Sequence, residues 1–330
     1  MPLFSIVIPV YNSEVFLERC LLSISNQSLT DFEAIIVDDG SSDSSGEICD
    51  TFSSTRSNFK VIHQKNKGVV FARQAGVDNS SGRYLVFVDS DDYIDEDFLL
   101  EFSRVINAYS PDVICSNYFE VNGEQMTLIK TKYEYGFYDR DSIVKRIFPS
   151  LILSKEGNGF PPQLWGKAFD ASLYKKNQLI NRKVVMGEDG ACTRPTIANA
   201  NSLFLLDRTL YYYRRNQYSI TKSKAIIPWE GPEIRGEHLF NKMALSDFDF
   251  TEQIFRDVSL ALFTVARSRF NQKNMDLASI KQDIRTNLKN PFYSKAISKA
   301  SFTKLKLRLI IFSLKHRWFL FMRLYNRFRG

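Results

Sequence analysis

Short runs rich in β-branched and aromatic residues alternate with longer amphipathic stretches from residue 4 onward. The runs are Phe4–Val10, Phe32–Asp38, Lys60–His63 and Tyr84–Asp89, and the segments between them have helical length and spacing. Ala34-Ile35-Ile36-Val37 and Tyr84-Leu85-Val86-Phe87-Val88 are apolar at every residue, as strands covered on both faces by crossover helices require. The pattern predicts an α/β fold: a Rossmann-like, mostly parallel sheet flanked by helices. Residues 110–135 read as further strands, 139–148 as a helix and 157–162 as an irregular loop. A second strand-rich passage closes at Leu210-Tyr211-Tyr212-Tyr213-Arg214. From about Glu233 the spacing is helical, with Ile254, Val258, Ala261, Leu262 and Val265 on one face. A boundary near residue 225 separates an α/β domain, 1–225, from a helical C-terminal appendage, 226–330.

Polar groups gather where the apolar runs end: Tyr11-Asn12, Asp38-Asp39-Gly40-Ser41 and Asp89-Ser90-Asp91-Asp92. The carboxyl ends of strands form the ligand crevice of an open α/β sheet, so these clusters are expected to converge. Asp89 and Asp91 are one residue apart, and in extended geometry both carboxylates point the same way, as a shared hard cation requires. The plain alternative is a solvated acidic turn, or a cap for a helix starting near Asp95. In the second cluster a carboxylate can accept the imide hydrogen of a uracil ring. Ser41 and Asp43 are expected to cap the next helix, leaving Asp39 to face the base. Asn66-Lys67-Gly68 turns into a helix that brings Arg73 toward the same crevice, where it suits a phosphate; alone, Arg73 reads as a salt bridge.

Bulk properties narrow the class. Hydrophobic residues at 44% and charged residues at 25% are those of a globular protein, with no apolar window near the roughly 18 residues a membrane span needs. The first residues lack a basic leader and cleavage site, so secretion is not expected and a cytoplasmic location is. Cys20, Cys49, Cys115 and Cys192 form no CxxC pair and read as buried thiols. His63, His238 and His316 stand at unrelated positions with no nucleophile partner pattern, which argues against a nucleophile triad. Pro9-Val10-Tyr11-Asn12 stands where a dinucleotide dehydrogenase or a sugar nucleotidyltransferase would carry a Gly-rich loop.

Together Ser5-Ile6-Val7-Ile8-Pro9-Val10-Tyr11-Asn12, Val37-Asp38-Asp39-Gly40-Ser41, Asn66-Lys67-Gly68 through Arg73, and Val88-Asp89-Ser90-Asp91-Asp92 resemble glycosyltransferase family 2, of the bacterial capsule and cell-wall polysaccharide type. The resemblance implies a GT-A fold, a nucleoside diphosphate sugar donor (UDP-sugar by preference), Mn2+ or Mg2+, and inversion. It makes residues 1–110 the nucleotide-binding half and 111–225 the acceptor half. Carried over by position, Pro9, Tyr11 and Asp39 hold the nucleobase, Arg73 approaches the pyrophosphate, Asp89 meets the ribose or a metal-bound water, and Asp91 binds the metal. Trp165-Gly166-Lys167, Glu188-Asp189, and Tyr212-Tyr213-Arg214 with Ser219-Ile220-Thr221 resemble later family segments; Lys183–Gly187 is expected to be a strand and turn delivering the acidic pair. Gly166 and Gln74 replace the family's usual asparagines. The Gln-x-x-Arg-Trp motif of processive members is absent, which points to single addition. Inversion requires a base for the acceptor hydroxyl. Asp189 is the candidate and Glu188 its rival, against a plain reading of both as helix N-terminal caps. Arg214 is a candidate lid over the diphosphate, or an ordinary edge-strand residue.

Much of the formal charge of +7 lies in Phe302–Arg329, which has eight Lys or Arg and no acid. At roughly 100° per residue, Leu307, Ile310, Ile311, Leu314, Trp318, Phe321, Tyr325 and Phe328 form one apolar arc. Lys304, Arg308, Lys315 and Arg323 lie outside it. The segment 302–329 reads as an interfacial helix on anionic lipid, at the inner face of the cell membrane, or as a core or homodimer helix. A lipid-linked glycan acceptor fits by resemblance; a nucleic-acid partner does not, since no binding motif accompanies the charge. The rival class is a silent carbohydrate-binding or assembly subunit on the same fold.

Overall fold

The computed structural model describes residues 1–215, 226–272 and 275–327; Ser219-Ile220-Thr221 and Phe328 lie outside the described residues. The described residues of Met1–Ile143, Gln163–Arg182 and Asn199–Asn216 form one compact unit, and those of Val144–Pro162, Lys183–Ala198 and Gln217–Gly330 a second.

The first unit opens with β1 (Phe4–Val10), α1 (Glu14–Ser25), β2 (Phe32–Asp38), α2 (Ser45–Ser53), β3 (Phe59–His63), α3 (Val69–Asp78) and β4 (Tyr84–Phe87). It continues through β5 (Tyr93–Ile94), α4 (Phe98–Tyr109), β6 (Val113–Asn122), β7 (Gln125–Ile129), β8 (Gly136–Asp139) and α5 (Arg140–Ser142). After a passage through the second unit come β9 (Lys167–Asp170), α6 (Ala171–Asn177) and β10 (Ser202–Arg214). The sheet order is β3-β2-β1-β4-β9-β6-β10-β5, with β7 on β6 and β8 on β10. Neighbours from β3 to β4 are parallel, as are β6 and β10. Strand β9 runs antiparallel between β4 and β6.

Every residue of β1 and β2 is buried, the polar Ser5, Glu33 and Asp38 included. Phe4, Ile6, Ile8 and Val10 share a core with Leu17, Leu21 and Ile24 of α1. The opposite face is covered by α3, whose Gly76 lies so close that an added Cβ would stand 2.4 Å from a Val7 methyl. At the amino ends of the strands, Glu33 Oε1 accepts hydrogen bonds of 2.7 Å from Ser5 Oγ, Ser81 N and Ser81 Oγ, and Lys60 pairs with Oε2 at 3.2 Å. Burial alone would raise the Glu33 pKa, but these donors outweigh it and hold the carboxyl at about 2.

The second unit is helical: α7 (Glu188–Ala198), α8 (Glu230–Met243), α9 (Thr251–Ser268), α10 (Leu277–Asn287), α11 (Pro291–Lys299), α12 (Leu305–Lys315) and α13 (Phe319–Arg327). The predicted face of Ile254, Val258, Ala261, Leu262 and Val265 is buried on α9. Residues 144–162 join this unit because buried Gln253 donates to the Phe148 carbonyl and accepts from Ile152 N and Leu153 N. The helical unit thus takes in two segments from before residue 225, including α7.

Three elements differ from their sequence patterns. The helix expected over 139–148 is α5, capped by Asp139, followed by a π turn at Ile143–Ile147 and a 3₁₀ turn at Phe148–Ser150, where Pro149 lacks the N–H to continue. Lys183–Gly187 forms no strand, and Gly187 has φ +78°. The basic tail is two helices, not one: Arg317 takes φ 56°, and its guanidinium donates to the Leu314 and Lys315 carbonyls to close α12. Much of the predicted arc packs inward, with Ile310, Ile311 and Leu314 buried and Phe321 and Tyr325 against Phe263 of α9.

The Glu33 carboxyl, held down from its ordinary 4.5 to about 2, stabilises the fold above pH 4.5, and that contribution disappears as pH falls through 2. Urea unfolding of wild type and Glu33→Gln should therefore differ by about 3 kcal/mol at neutral pH and converge in acid. Parallel pH profiles for the two proteins would contradict this.

Candidate active site

Loops at the carboxyl ends of β1, β2 and β4 are tied to one another before any ligand arrives. Asn12, in the left-handed region at φ 47°, donates its N–H to Ser41 Oγ and accepts from Ser42 N at 2.8 Å. Ser13 N donates to Ser45 Oγ, and Ser13 Oγ shares a 2.7 Å hydrogen bond with Ser90 Oγ. Asp43 accepts from Ser45 N and Glu14 N, serving the first turns of α2 and α1 together. Gly40 packs so tightly on the third loop that a Cβ would lie 2.9 Å from Asn66 N. The three polar clusters thus meet at one edge of the sheet.

Within this edge, Asp39 is buried and receives Lys67 N, Gly68 N and the Gln64 amide at 2.6–2.9 Å. These bonds use about three of a carboxylate's four acceptor positions, so Asp39 organises the 64–68 loop. Asp38 pairs with His63 at 2.9 Å and accepts Ser41 N; burial opposes ionisation, but these partners hold its carboxyl below the ordinary range. Pro9 is buried in β1, whereas the Tyr11 ring is exposed beside these loops. Arg73 of α3 is buried and donates to Asp89 Oδ1 at 2.9 Å. Its partner is therefore a neighbouring site carboxylate, not a surface charge.

Asp92 holds the acidic motif in place, a role its position after Asp89-Ser90-Asp91 does not disclose. Fully buried, it accepts Tyr211 O–H and Arg214 N–H at 2.7 Å each. Burial first, then the charges of Asp91 and Asp89, push its carboxyl well above the ordinary range, against the pull of those two donors. Tyr211 Oη also receives Asp89 N–H at 3.3 Å, and its ring stacks at 4.6 Å on Trp165, which stacks in turn on Tyr213. On the other face of β10, Tyr212 stacks on Tyr93 at 4.5 Å, and the Arg214 guanidinium lies over Phe16 and Tyr93. Asp89 and Asp91 remain half-buried at the strand end. Among the described residues no three His, Cys, Asp or Glu side chains form a closed metal cage. Asp89 and Asp91 are the two hard oxygen donors at this open edge that would hold a divalent ion such as Mg2+ or Mn2+.

Glu188 and Asp189 belong to the second unit, in the first turn of α7. Their position is set by a buried ionic cluster that the sequence did not reveal. Asp257 of α9 accepts Arg194 at 2.9 Å and Arg235 at 2.8 Å, and Arg235 also donates to the Met186 carbonyl. Arg235 fills the space beside Gly187, where a Cβ would meet its Nη1 at 2.2 Å. The left-handed glycine turn therefore replaces the expected strand as the device that presents the acidic pair.

Replacing Tyr211 with Phe keeps the stack but removes one of the two hydrogen bonds that the buried Asp92 carboxyl accepts. Thermal or urea denaturation should show a loss of about 1–3 kcal/mol. A Tyr211→Phe protein as stable as wild type would exclude this tie.

Residues 5–161 match the profile described as Glycosyl transferase family 2. The chain is similar to glycosyltransferase GlyA of Streptococcus pneumoniae serotype 4, with 33% identity over 223 residues, 66% of this chain and 31% of that protein. It is also similar to the uncharacterized glycosyltransferase EpsJ of Bacillus subtilis, with 28% identity over 67% of this chain and 64% of that protein. It thus spans less than two thirds of the length of either relative. Among solved structures, Staphylococcus aureus TarS 1–349 superposes with a TM-score of 0.66 at 21% identity, covering 95% of this chain and 87% of that one. The same TarS fragment has been solved in complex with UDP-GlcNAc. This likeness establishes the GT-A fold, and residues 5–161, which carry the cross-tied loops, form a glycosyltransferase family 2 domain.

Proposed function

We propose that the chain is a metal-dependent, inverting hexosyltransferase that moves one sugar from a UDP-sugar to a lipid-linked oligosaccharide in bacterial capsule or cell-wall polysaccharide assembly. It would work in the cytoplasm, peripherally at the inner face of the cell membrane. The observation that carries this reading is the convergence of the three strand-end loops on the half-buried Asp89 and Asp91.

Each residue has a part that follows from its surroundings. The exposed Tyr11 ring stacks on the base above Pro9, and the remaining acceptor position of Asp39 takes the uracil imide hydrogen. Arg73 shares its charge between Asp89 and the pyrophosphate, and Arg214 turns from the Phe16 and Tyr93 rings toward the same group. Mg2+ or Mn2+ on Asp91 and Asp89 would neutralise charge on the leaving diphosphate. Asp189 takes the proton of the acceptor hydroxyl as its oxygen attacks the anomeric carbon opposite the departing group, and Glu188 holds the acceptor. The UDP-GlcNAc complex of TarS supports UDP as the nucleotide.

A panel of UDP-, GDP- and dTDP-sugars with Mg2+ or Mn2+, followed by donor breakdown and transfer to membrane acceptor, tests the reading. Wild type should consume a UDP-sugar, and Asp189→Asn should lose roughly 10²–10⁴-fold in transfer while still binding UDP. If no donor is bound or consumed, the silent-subunit reading replaces this one.

A further inference from the structure

The outer side of the C-terminal helices carries a feature that packing against α9 does not use. Helices α10, α12 and α13 surround an open cavity of about 530 Å³, lined by Lys281, Phe312, His316, Trp318, Leu320 and Arg323 among others. Although α12 and α13 bury Ile310, Ile311, Leu314 and Met322, they leave Phe312 49%, Trp318 41% and Leu320 61% exposed. These three large apolar side chains share the cavity wall with cations. Lys281 and Arg285 flank the Phe319 ring at 6.0 and 5.2 Å, and Lys315 and Arg323 are exposed nearby in sequence. The acids of α10 are committed elsewhere: Asp276 caps its own helix through Ser279 N, while Asp283 accepts Trp229 Nε1–H and pairs with Arg269. Residues 302–329 contribute no acid at all.

We propose that this cavity and its rim dock onto an anionic phospholipid bilayer, with a headgroup phosphate seated between Lys281, His316 and Arg323. Trp318 and Leu320 enter the headgroup–acyl boundary, where an aromatic or aliphatic side chain beside cations is stabilised by burial and by the negative surface potential. The inward arc of α12 and α13 is the anchor that holds the docking face rigid. The proposal rests on the peripheral-membrane part of the function above and identifies the residues that carry it. Of the apolar arc read in the sequence it retains the exposed Trp318, and it adds the exposed Leu320, which lies outside that arc.

The test is partition of the full chain onto vesicles of equimolar phosphatidylglycerol and phosphatidylcholine, against phosphatidylcholine alone. Trp165 and Trp229 are buried to 8% exposure, so a blue shift of tryptophan emission on binding reports Trp318. The chain should bind the anionic vesicles with a blue shift, release in high salt, and ignore the neutral ones. Lys281→Gln with Arg323→Gln should weaken partition at least tenfold, at about fivefold per cation. Leu320→Ser should weaken it with donor breakdown unchanged. Equal binding to neutral vesicles, wild-type partition by the variants, binding without a blue shift, or no vesicle binding each overturns the proposal. Partition needs neither donor nor acceptor, so its failure is distinguishable from failure of the transferase reading, which donor breakdown measures.

Discussion

One buried carboxylate, Asp92, fixes the relation between the acidic strand end and the last strand of the sheet. A carboxyl group out of water is tolerated only where its oxygens find partners, and those of Asp92 accept Tyr211 O–H and Arg214 N–H. Both come from β10, so satisfying Asp92 brings that strand's end against the Asp89-Ser90-Asp91 turn. The same Tyr211 oxygen receives Asp89 N–H, and its ring is held by Trp165. The geometry of the two half-buried acids therefore depends on an aromatic stack well away from them in sequence.

Around that point the remaining loops are fixed by the same kind of hydrogen bonding. Asp39 holds the 64–68 turn, Asn12 holds the Ser41-Ser42 turn, and Ser13 meets Ser90. Left-handed or tightly packed positions, Asn12 and Gly40, occur where two loops approach too closely for an ordinary backbone or a Cβ. Such a site meets its ligand largely pre-organised, with the ordering cost of the loops already met in folding. In the second unit the Asp257 cluster does for Glu188 and Asp189 what Asp92 does for the first acidic motif. There two arginines outweigh the burial of Asp257 and hold its carboxyl below the ordinary range.

Much of this was legible in the sequence because central parallel strands must be apolar on both faces. Phe4–Val10 and Phe32–Asp38 match their strands residue for residue, and the polar residues that follow them meet as the sheet rule requires. What escaped depends on partners far apart in the chain. Nothing near Asp92 announces Tyr211, 119 residues on, and nothing near Met186 announces Arg235. Local breaks were also hidden: a π turn at Ile143–Ile147 interrupts the stretch read as one helix, and Arg317 divides a tail whose apolar spacing runs straight through the division. Periodicity identified the apolar arc of that tail but not its neighbour, since α9 offers an apolar partner that only the fold reveals.

The central claim is that the strand-end carboxylates form a nucleotide site that works through a divalent ion. Calorimetric titration of UDP into wild type and Asp91→Ala, each with and without Mn2+, tests it most directly. Wild type should bind UDP more tightly with Mn2+ and Asp91→Ala should show no such gain; equal UDP affinity under all four conditions, or no binding, would contradict the claim.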